Sequence, residues 1–233
     1  MSQAFLEVYR KSLEDPVGFW EREAEKLYWR ERWVKTYDDS NPPFYRWFVG
    51  GRTNIAYNAV DVHVKGGRGN KAALIWVTPY GETRILRYRD LYREVNRASL
   101  LLKSLGVEKG DRVVIYMPMI PEAMIAMLAV NRIGAVHSVV FSGFGAQALA
   151  ERVIDAGAKL VITADGMRRR GKITPLKPTV DEALKNVEDE VTVLVYRHVG
   201  IDVPMKRGRD LLWHEEVSRI PPNAYAEPEW VEG

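Results

Sequence analysis

The chain contains no cysteine, which excludes disulfides, a thiol nucleophile and thiolate metal sites, and fits either a reducing compartment or a hot one. No run of eighteen apolar residues occurs, so no segment reads as a membrane-spanning helix. The start, Met1-Ser2-Gln3-Ala4-Phe5, lacks the basic flank and apolar stretch of a secretory signal. A soluble, cytoplasmic protein is expected. Charge of one sign is also missing: 34 Lys and Arg against 31 Asp and Glu leave +3, with the signs interspersed, so neither nucleic acid nor a membrane surface is an expected partner. The phosphate-loop pattern G-x-x-x-x-G-K-[ST] does not occur, and there is no internal repeat or low-complexity tract. The four histidines, His63, His137, His198 and His214, are scattered without metal-ligand spacing, so they read as structural and no metal site is expected.

What is there suffices for a globular protein: 233 residues, 46% of them hydrophobic, make one large or two small domains. A charged fraction of 28% beside zero cysteine is compatible with a thermophilic source. Residues 1–70 are rich in Trp, Tyr and charge, with an amphipathic helix expected from Pro16 to Lys35 and no clean strand. They read as an N-terminal elaboration. Trp20, Tyr28, Trp29, Trp33 and Trp47 are assigned to packing, and Glu21, Glu23 and Glu25 to a solvated helical face. From residue 71 to 233 the texture is that of an α/β domain. Ala72 to Val77 and Arg84 to Arg87 flank Pro79-Tyr80-Gly81 as a hairpin. Leu91, Val95, Ala98, Leu102 and Leu105 alternate four and three apart, one face of a helix capped by Gly106. Strands at Arg112 to Tyr116, Val136 to Phe141 and Lys159 to Thr163 then alternate with helices at Pro121 to Val130 and Ala146 to Ala156. A further helix, Val180 to Asn186, and strand, Val191 to Tyr196, follow before the pattern decays. Strands joined by single helices are normally parallel, which predicts a parallel sheet with helices on both faces.

Ligands of such a sheet bind outside the carboxyl ends of its strands. Two segments belong at that edge: Ser142-Gly143-Phe144-Gly145, and Ala164 to Lys172 with Arg168, Arg169, Arg170, Gly171 and Lys172. If their strands are neighbours, both face one crevice. The first brings glycines and a helix N-terminus; the second brings four cations within five residues, and together they suit a phosphate. The spacing also admits a different reading. Gly143-Phe144-Gly145-Ala146-Gln147-Ala148 matches G-x-G-x-x-A, and Asp165 lies where a ribose-binding acid would, as in an NAD(P)-binding Rossmann oxidoreductase domain. A non-catalytic interaction module is a third alternative.

The ordered set Tyr45-Arg46-Trp47-Phe48-Val49-Gly50-Gly51, Thr53-Asn54-Ile55-Ala56-Tyr57-Asn58, Met117-Pro118-Met119-Ile120-Pro121-Glu122, Gly134-Ala135-Val136-His137, Phe141-Ser142-Gly143-Phe144 and Ile162-Thr163-Ala164-Asp165-Gly166 resembles the AMP-forming acetyl-CoA and propionyl-CoA synthetases over nearly the whole chain. The resemblance implies a short-chain carboxylate activated by ATP, with magnesium, to an acyl-adenylate and pyrophosphate, after which the thiol of CoA displaces AMP. CoA, ATP and Mg are thus implied as substrates of the intact enzyme, an acetate or propionate–CoA ligase. None is expected to stay tightly bound to this chain. By the same resemblance, Arg169 and Lys172 lie near the 3′-phosphate of CoA with Gly143 as a close backbone approach, and Arg168, Arg170 and Gly171 share that loop. The implied phosphate loop, acyl pocket and lysine-bearing C-terminal domain would follow Gly233, so the chain reads as an N-terminal portion, inactive alone. Its expected partners are small-molecule substrates, the remainder of the enzyme and a second copy in a homo-oligomer. Two departures stand out: Asp61-Val62-His63 has valine where the family commonly has arginine, and Lys172 stands where arginine is usual.

Overall fold

Residues 2–232 are described by a computed structural model, with Met1 and Gly233 outside the described residues. The first helix, α1 (Gln3–Glu14), is capped by Ser2. In α2 (Pro16–Ala24), Pro16 occupies the first turn and Asp15 accepts from the Gly18 N–H at 2.9 Å, a usual helix start. That helix stops at Ala24 rather than running on to Lys35. The Ala24 carbonyl accepts from Leu27 N and from Trp29 Nε1, and Trp29 and Trp33 turn away to pack on each other and on Phe48, with ring centroids 4.8 to 5.4 Å apart. Aromatic packing thus overrides the helical period. The same cluster supports strands that the sequence did not announce: β1 (Lys35–Asp38) and β2 (Arg46–Val49), an antiparallel pair, and the short β3 (Arg52–Thr53). Two wide helical turns, Tyr57–Asp61 and Val64–Arg68, follow.

The hairpin forms as expected from β4 (Ala72–Val77) and β5 (Thr83–Arg87). Next come α3 (Tyr88–Ser104), β6 (Arg112–Tyr116), α4 (Pro121–Arg132), β7 (Val136–Val139), α5 (Ala146–Ala156) and β8 (Leu160–Ala164). The basic run is not a loop. It is a second hairpin, β9 (Gly166–Arg169) and β10 (Lys172–Pro175). After α6 (Lys177–Ala183) and β11 (Thr192–Tyr196), order persists where decay was expected, in β12 (Asp210–Leu212), α7 (Trp213–Ser218) and β13 (Val231–Glu232).

Five strands form one parallel sheet in the order β12-β11-β8-β6-β7. Every residue of the central β8 is buried, as a continuous apolar run covered on both faces requires. On one face, Val113, Ile115, Leu160, Ile162 and Leu194 meet α3 and α4 through Leu91, Val95, Leu102, Ile125 and Ala129. On the other, Val114, Val161, Val193 and Val195 meet α5 and α6 through Leu149, Val153, Val180 and Ala183. Helices therefore cover both faces. At the edge, Val136 and Val139 of β7 remain 53% and 57% exposed.

Buried polar groups stitch the outlying segments to this sheet. Asn54 donates to the carbonyls of Asn131, Arg132 and Glu229, which serves the open C-terminal end of α4. Asp61 and Arg132, both wholly buried, form a two-pronged ion pair at 2.6 and 3.0 Å, and Arg132 Nε donates to Ala226 O. The acid of the Asp61-Val62-His63 triplet is thus an anchor. On the other flank, buried Lys177 donates to Asp181, Asp210 and Pro204 O, fastening α6 to β12 with Arg209 closing the cluster against Asp181 and Asp210. This network holds the tail strand that local pattern does not reveal.

Candidate functional site at the carboxyl edge of the sheet

Asp165 follows β8 directly and is 2% exposed. Its Oδ1 accepts from the backbone N–H groups of Gly166, His198 and Val199 at 2.8 to 3.0 Å, and its Oδ2 from Gly200 and Ile201 at 2.7 and 3.1 Å. Burial pushes this carboxyl up, but the N–H groups of Val199, His198, Gly166 and Gly200 outweigh it and hold the pKa below the usual 3.8. A carboxylate offers about four lone-pair sites, so five donors leave none for a ribose. Gly145, the other residue the dinucleotide reading needs, has an ordinary extended backbone, and a Cβ there would meet nothing within 4 Å. Asp165 is a brace that ties the end of β8 to the segment after β11.

From that brace springs the basic hairpin. Its turn residues, Arg170 and Gly171, have φ of 50° and 75°, the left-handed pair a two-residue hairpin demands and one that a residue with a Cβ seldom adopts. The turn makes Arg169 and Lys172 direct cross-strand partners, two like charges opposed, which costs stability. Among the described residues, none of Arg168, Arg169, Arg170 and Lys172 forms an ion pair. All four are exposed.

The glycine turn lies against this hairpin even though β7 and β8 are not neighbours, since β6 runs between them. Tyr116, at the end of β6, bridges the gap: its buried hydroxyl lies 3.0 Å from Ser142 O and 2.7 Å from Phe144 O. A Cβ on Gly143 would come within 2.4 Å of the Phe141 ring and 3.1 Å of Arg169 Nη1, so the site tolerates only glycine there without movement. The Arg169 guanidinium sits 5.8 Å from the Phe141 ring centroid, within cation–π range. Of the residues singled out in the sequence, Gly143 and Arg169 meet, Lys172 faces Arg169 across the hairpin, and Arg170 and Gly171 form its tip.

Between these elements and the β4–β5 hairpin lies a cavity of about 390 Å³, walled by Trp76, Tyr80, Met119, Phe141, Arg168, Arg169 and His198 among others. Trp76 Nε1 donates to Met119 O at 2.7 Å, and Gly171 N donates to the Tyr80 hydroxyl at 3.0 Å. Trp76, Tyr80 and His198 were not legible as site residues. They come from a hairpin some ninety residues away from the basic run and from the segment placed by Asp165. A larger hollow of about 480 Å³ lies at the amino end of β11, bounded by Glu188 to Thr192 and Lys206 to Arg209. It is on the opposite edge from the glycine turn and basic hairpin, and we assign it no ligand. His63 packs on Tyr88, and His137 has its Nδ1 buried without a partner. Among the described residues, no three His, Cys, Asp or Glu side chains are grouped to hold a metal ion, and no helix is long and apolar enough to cross a membrane.

Residues 61–227 match the family described as AMP-binding enzyme, and residues 5–59 match the acetyl-coenzyme A synthetase N-terminus. The chain belongs to the AMP-binding enzyme family. An acetyl-coenzyme A synthetase of Pyrobaculum aerophilum is 51% identical over 98% of this chain and 36% of its own length. A 3-hydroxypropionyl-coenzyme A synthetase of Sulfurisphaera tokodaii is 50% identical over 97% of this chain and 34% of its own, and an acetyl-coenzyme A synthetase of Mycobacterium tuberculosis 49% over 97% and 35%. The chain spans about a third of the length of these relatives. In this member of the family, Asn54 and Asp165, which carry the resemblance, fasten distant segments to one another through hydrogen bonds to the backbone.

Proposed function

We propose that this chain supplies the CoA-facing surface of an AMP-forming acyl-CoA synthetase, in which Arg169 and Lys172 hold the 3′-phosphate of CoA and Gly143 lets the ligand approach the backbone. The observation that carries this reading is the opposed, unpaired Arg169–Lys172 couple beside Gly143. Two like charges held face to face, with no ion-pair partner among the described residues, favour an external anion, and an arginine with a lysine suits a phosphate. Arg168 is the further cation on the cavity wall, and the exposed Arg170 and Gly171 are the hairpin tip. The overall reaction is carboxylate, ATP and CoA to acyl-CoA, AMP and pyrophosphate. The attacking carboxylate oxygen first displaces pyrophosphate at the α-phosphorus, and the CoA thiolate then displaces AMP at the acyl carbon.

The described residues hold neither a phosphate loop nor a donor set that fits magnesium. The 233-residue chain assayed alone should therefore make no acyl-CoA, because the electrostatic stabilisation of phosphoryl chemistry is the dominant source of such rates. The partners of this reading are the small-molecule substrates and the remainder of a longer synthetase, with residues 1–70 and 71–233 as its N-terminal elaboration and the first part of its large domain. In the full-length protein, Arg169→Ala with Lys172→Ala should weaken CoA binding by about 1.5–3 kcal/mol per contact while pyrophosphate exchange stays nearly unchanged. Dephospho-CoA should lose its disadvantage. A double variant that still prefers CoA as strongly as the wild type overturns the assignment.

A further inference from the structure

We propose that His198 is a further contact of this site, an imidazole that takes up a proton when a phosphate-bearing ligand settles against Arg169, beside Arg168 on the same cavity wall. The inference rests on the phosphate reading given above. His198 lies just past β11, and its backbone N–H is held by Asp165 at 2.8 Å, so the ring position follows from the same brace that launches the basic hairpin. The ring stands edge-on to Trp76, centroids 6.4 Å apart and planes at 73°, and walls the 390 Å³ cavity together with Arg168 and Arg169. Among the described residues no side-chain hydrogen bond engages its ring nitrogens, and neither is sealed from solvent. His137 differs in that its Nδ1 is enclosed.

The charges that face His198 come from four elements. Arg168 is on β9, Asp165 follows β8, Glu122 is on α4, and Glu82 is in the β4–β5 turn, while Trp76 and Tyr80 add neutral walls. Glu122 is occupied by Arg84, and Asp165 by backbone N–H groups. Burial, the largest influence, holds the imidazole below its usual 6.5, helped by Arg168 and opposed by Asp165, Glu122 and Glu82. The free site therefore presents a neutral ring near neutral pH. A phosphate dianion placed among the arginines reverses the local sign and favours the charged imidazolium, which then donates to a phosphate oxygen. The ligand gains a further charge-assisted donor only where protonation is cheap, so affinity should rise toward acid.

Calorimetry on the full-length protein tests this with CoA and dephospho-CoA as probes, at about pH 6 and about pH 8, in buffers of different ionisation enthalpy. The wild type should bind CoA about fivefold more tightly than His198→Gln at the lower pH and within about twofold at the higher. It should also take up more protons on binding than the variant does. Protonation of the 3′-phosphate itself is common to both proteins and drops out of the comparison. Equal affinities at both values with equal proton uptake would overturn the proposal; His198→Asn provides the same comparison if the glutamine variant misfolds. Arg169→Ala separates the two levels of inference. If it keeps the preference for CoA over dephospho-CoA, the phosphate reading fails and this inference with it. If it loses that preference while His198→Gln behaves as the wild type, only the role of His198 falls.

Discussion

Two sets of charges sit within eight residues of one another at the carboxyl edge of the sheet, and they are treated in opposite ways. Asp165 is enclosed and accepts five backbone hydrogen bonds; Arg168, Arg169, Arg170 and Lys172 are exposed, and two of them oppose each other across the hairpin. Elsewhere the first treatment prevails: Asp61 with Arg132, and Lys177 with Asp181 and Asp210, are buried charges with their partners in place. A charge the fold needs is saturated by the fold. The charges left open, two of them opposed at a cost to local stability, are the ones the proposed function gives to an external anion.

That comparison breaks or sharpens under mutation. The largest effect is expected from Asp61→Ala, which strands the wholly buried Arg132 and should cost about 3–5 kcal/mol in denaturant unfolding. An unchanged midpoint would remove Asp61 from the saturated class. Asp165→Asn keeps the size but turns an acceptor into a donor facing backbone N–H groups, and should cost about 2–3 kcal/mol. This loss depends on pH. The folded-state pKa of Asp165 lies below the usual 3.8, so its carboxylate stabilises the protein fully above the unfolded value, and that contribution disappears as the pH falls through the folded one. Wild-type and Asp165→Asn unfolding curves should separate at neutral pH and converge in acid; a constant gap would show that the brace acts through shape alone. Gly143→Ala, which drives a Cβ into the exposed Phe141 ring, should cost under about 1 kcal/mol because that ring can swing away, and should weaken CoA binding as Phe141 and Arg169 are displaced. The smallest effect has the opposite sign: Lys172→Glu replaces a cross-strand repulsion by an attraction and should stabilise the chain by about 0.5 kcal/mol, read as a higher melting temperature. The same variant should lose the preference for CoA over dephospho-CoA. Stabilisation without that loss would mean that the open charges serve no ligand.

The helices and buried strands of the sheet were legible because their evidence is local. Leu91, Val95, Ala98 and Leu102 recur at the helical period and are all buried, and Leu160 to Ala164 is a short apolar run bounded by turn residues. The end of α2 was not legible, because it depends on Trp29 and Trp33 finding Phe48, a contact across some fifteen residues that no periodicity reports. The basic run was read as a loop since four cations hide the alternation of a strand, and its two-residue turn puts Arg170 in a conformation rarely taken by anything but glycine. β12 has only three residues and owes its place to Lys177 and Arg209. The approach of Gly143 to Arg169 was anticipated for the wrong reason: β6 separates their strands, and Tyr116 closes the distance.

The amino-acid sequence by itself determined the alternating α/β order, the burial of the central strands and the likeness to the AMP-forming synthetases, because each rests on residue types at short, regular separations. Tertiary structure alone decided which charges are answered within the chain. It turned Asp165 from a candidate ribose ligand into a brace, made Arg169 and Lys172 face each other, and brought His198 to the wall of the same cavity as Trp76. A side chain's hydrogen-bonding capacity is a property of its type, but whether that capacity is spent depends on which distant backbone groups the fold delivers to it.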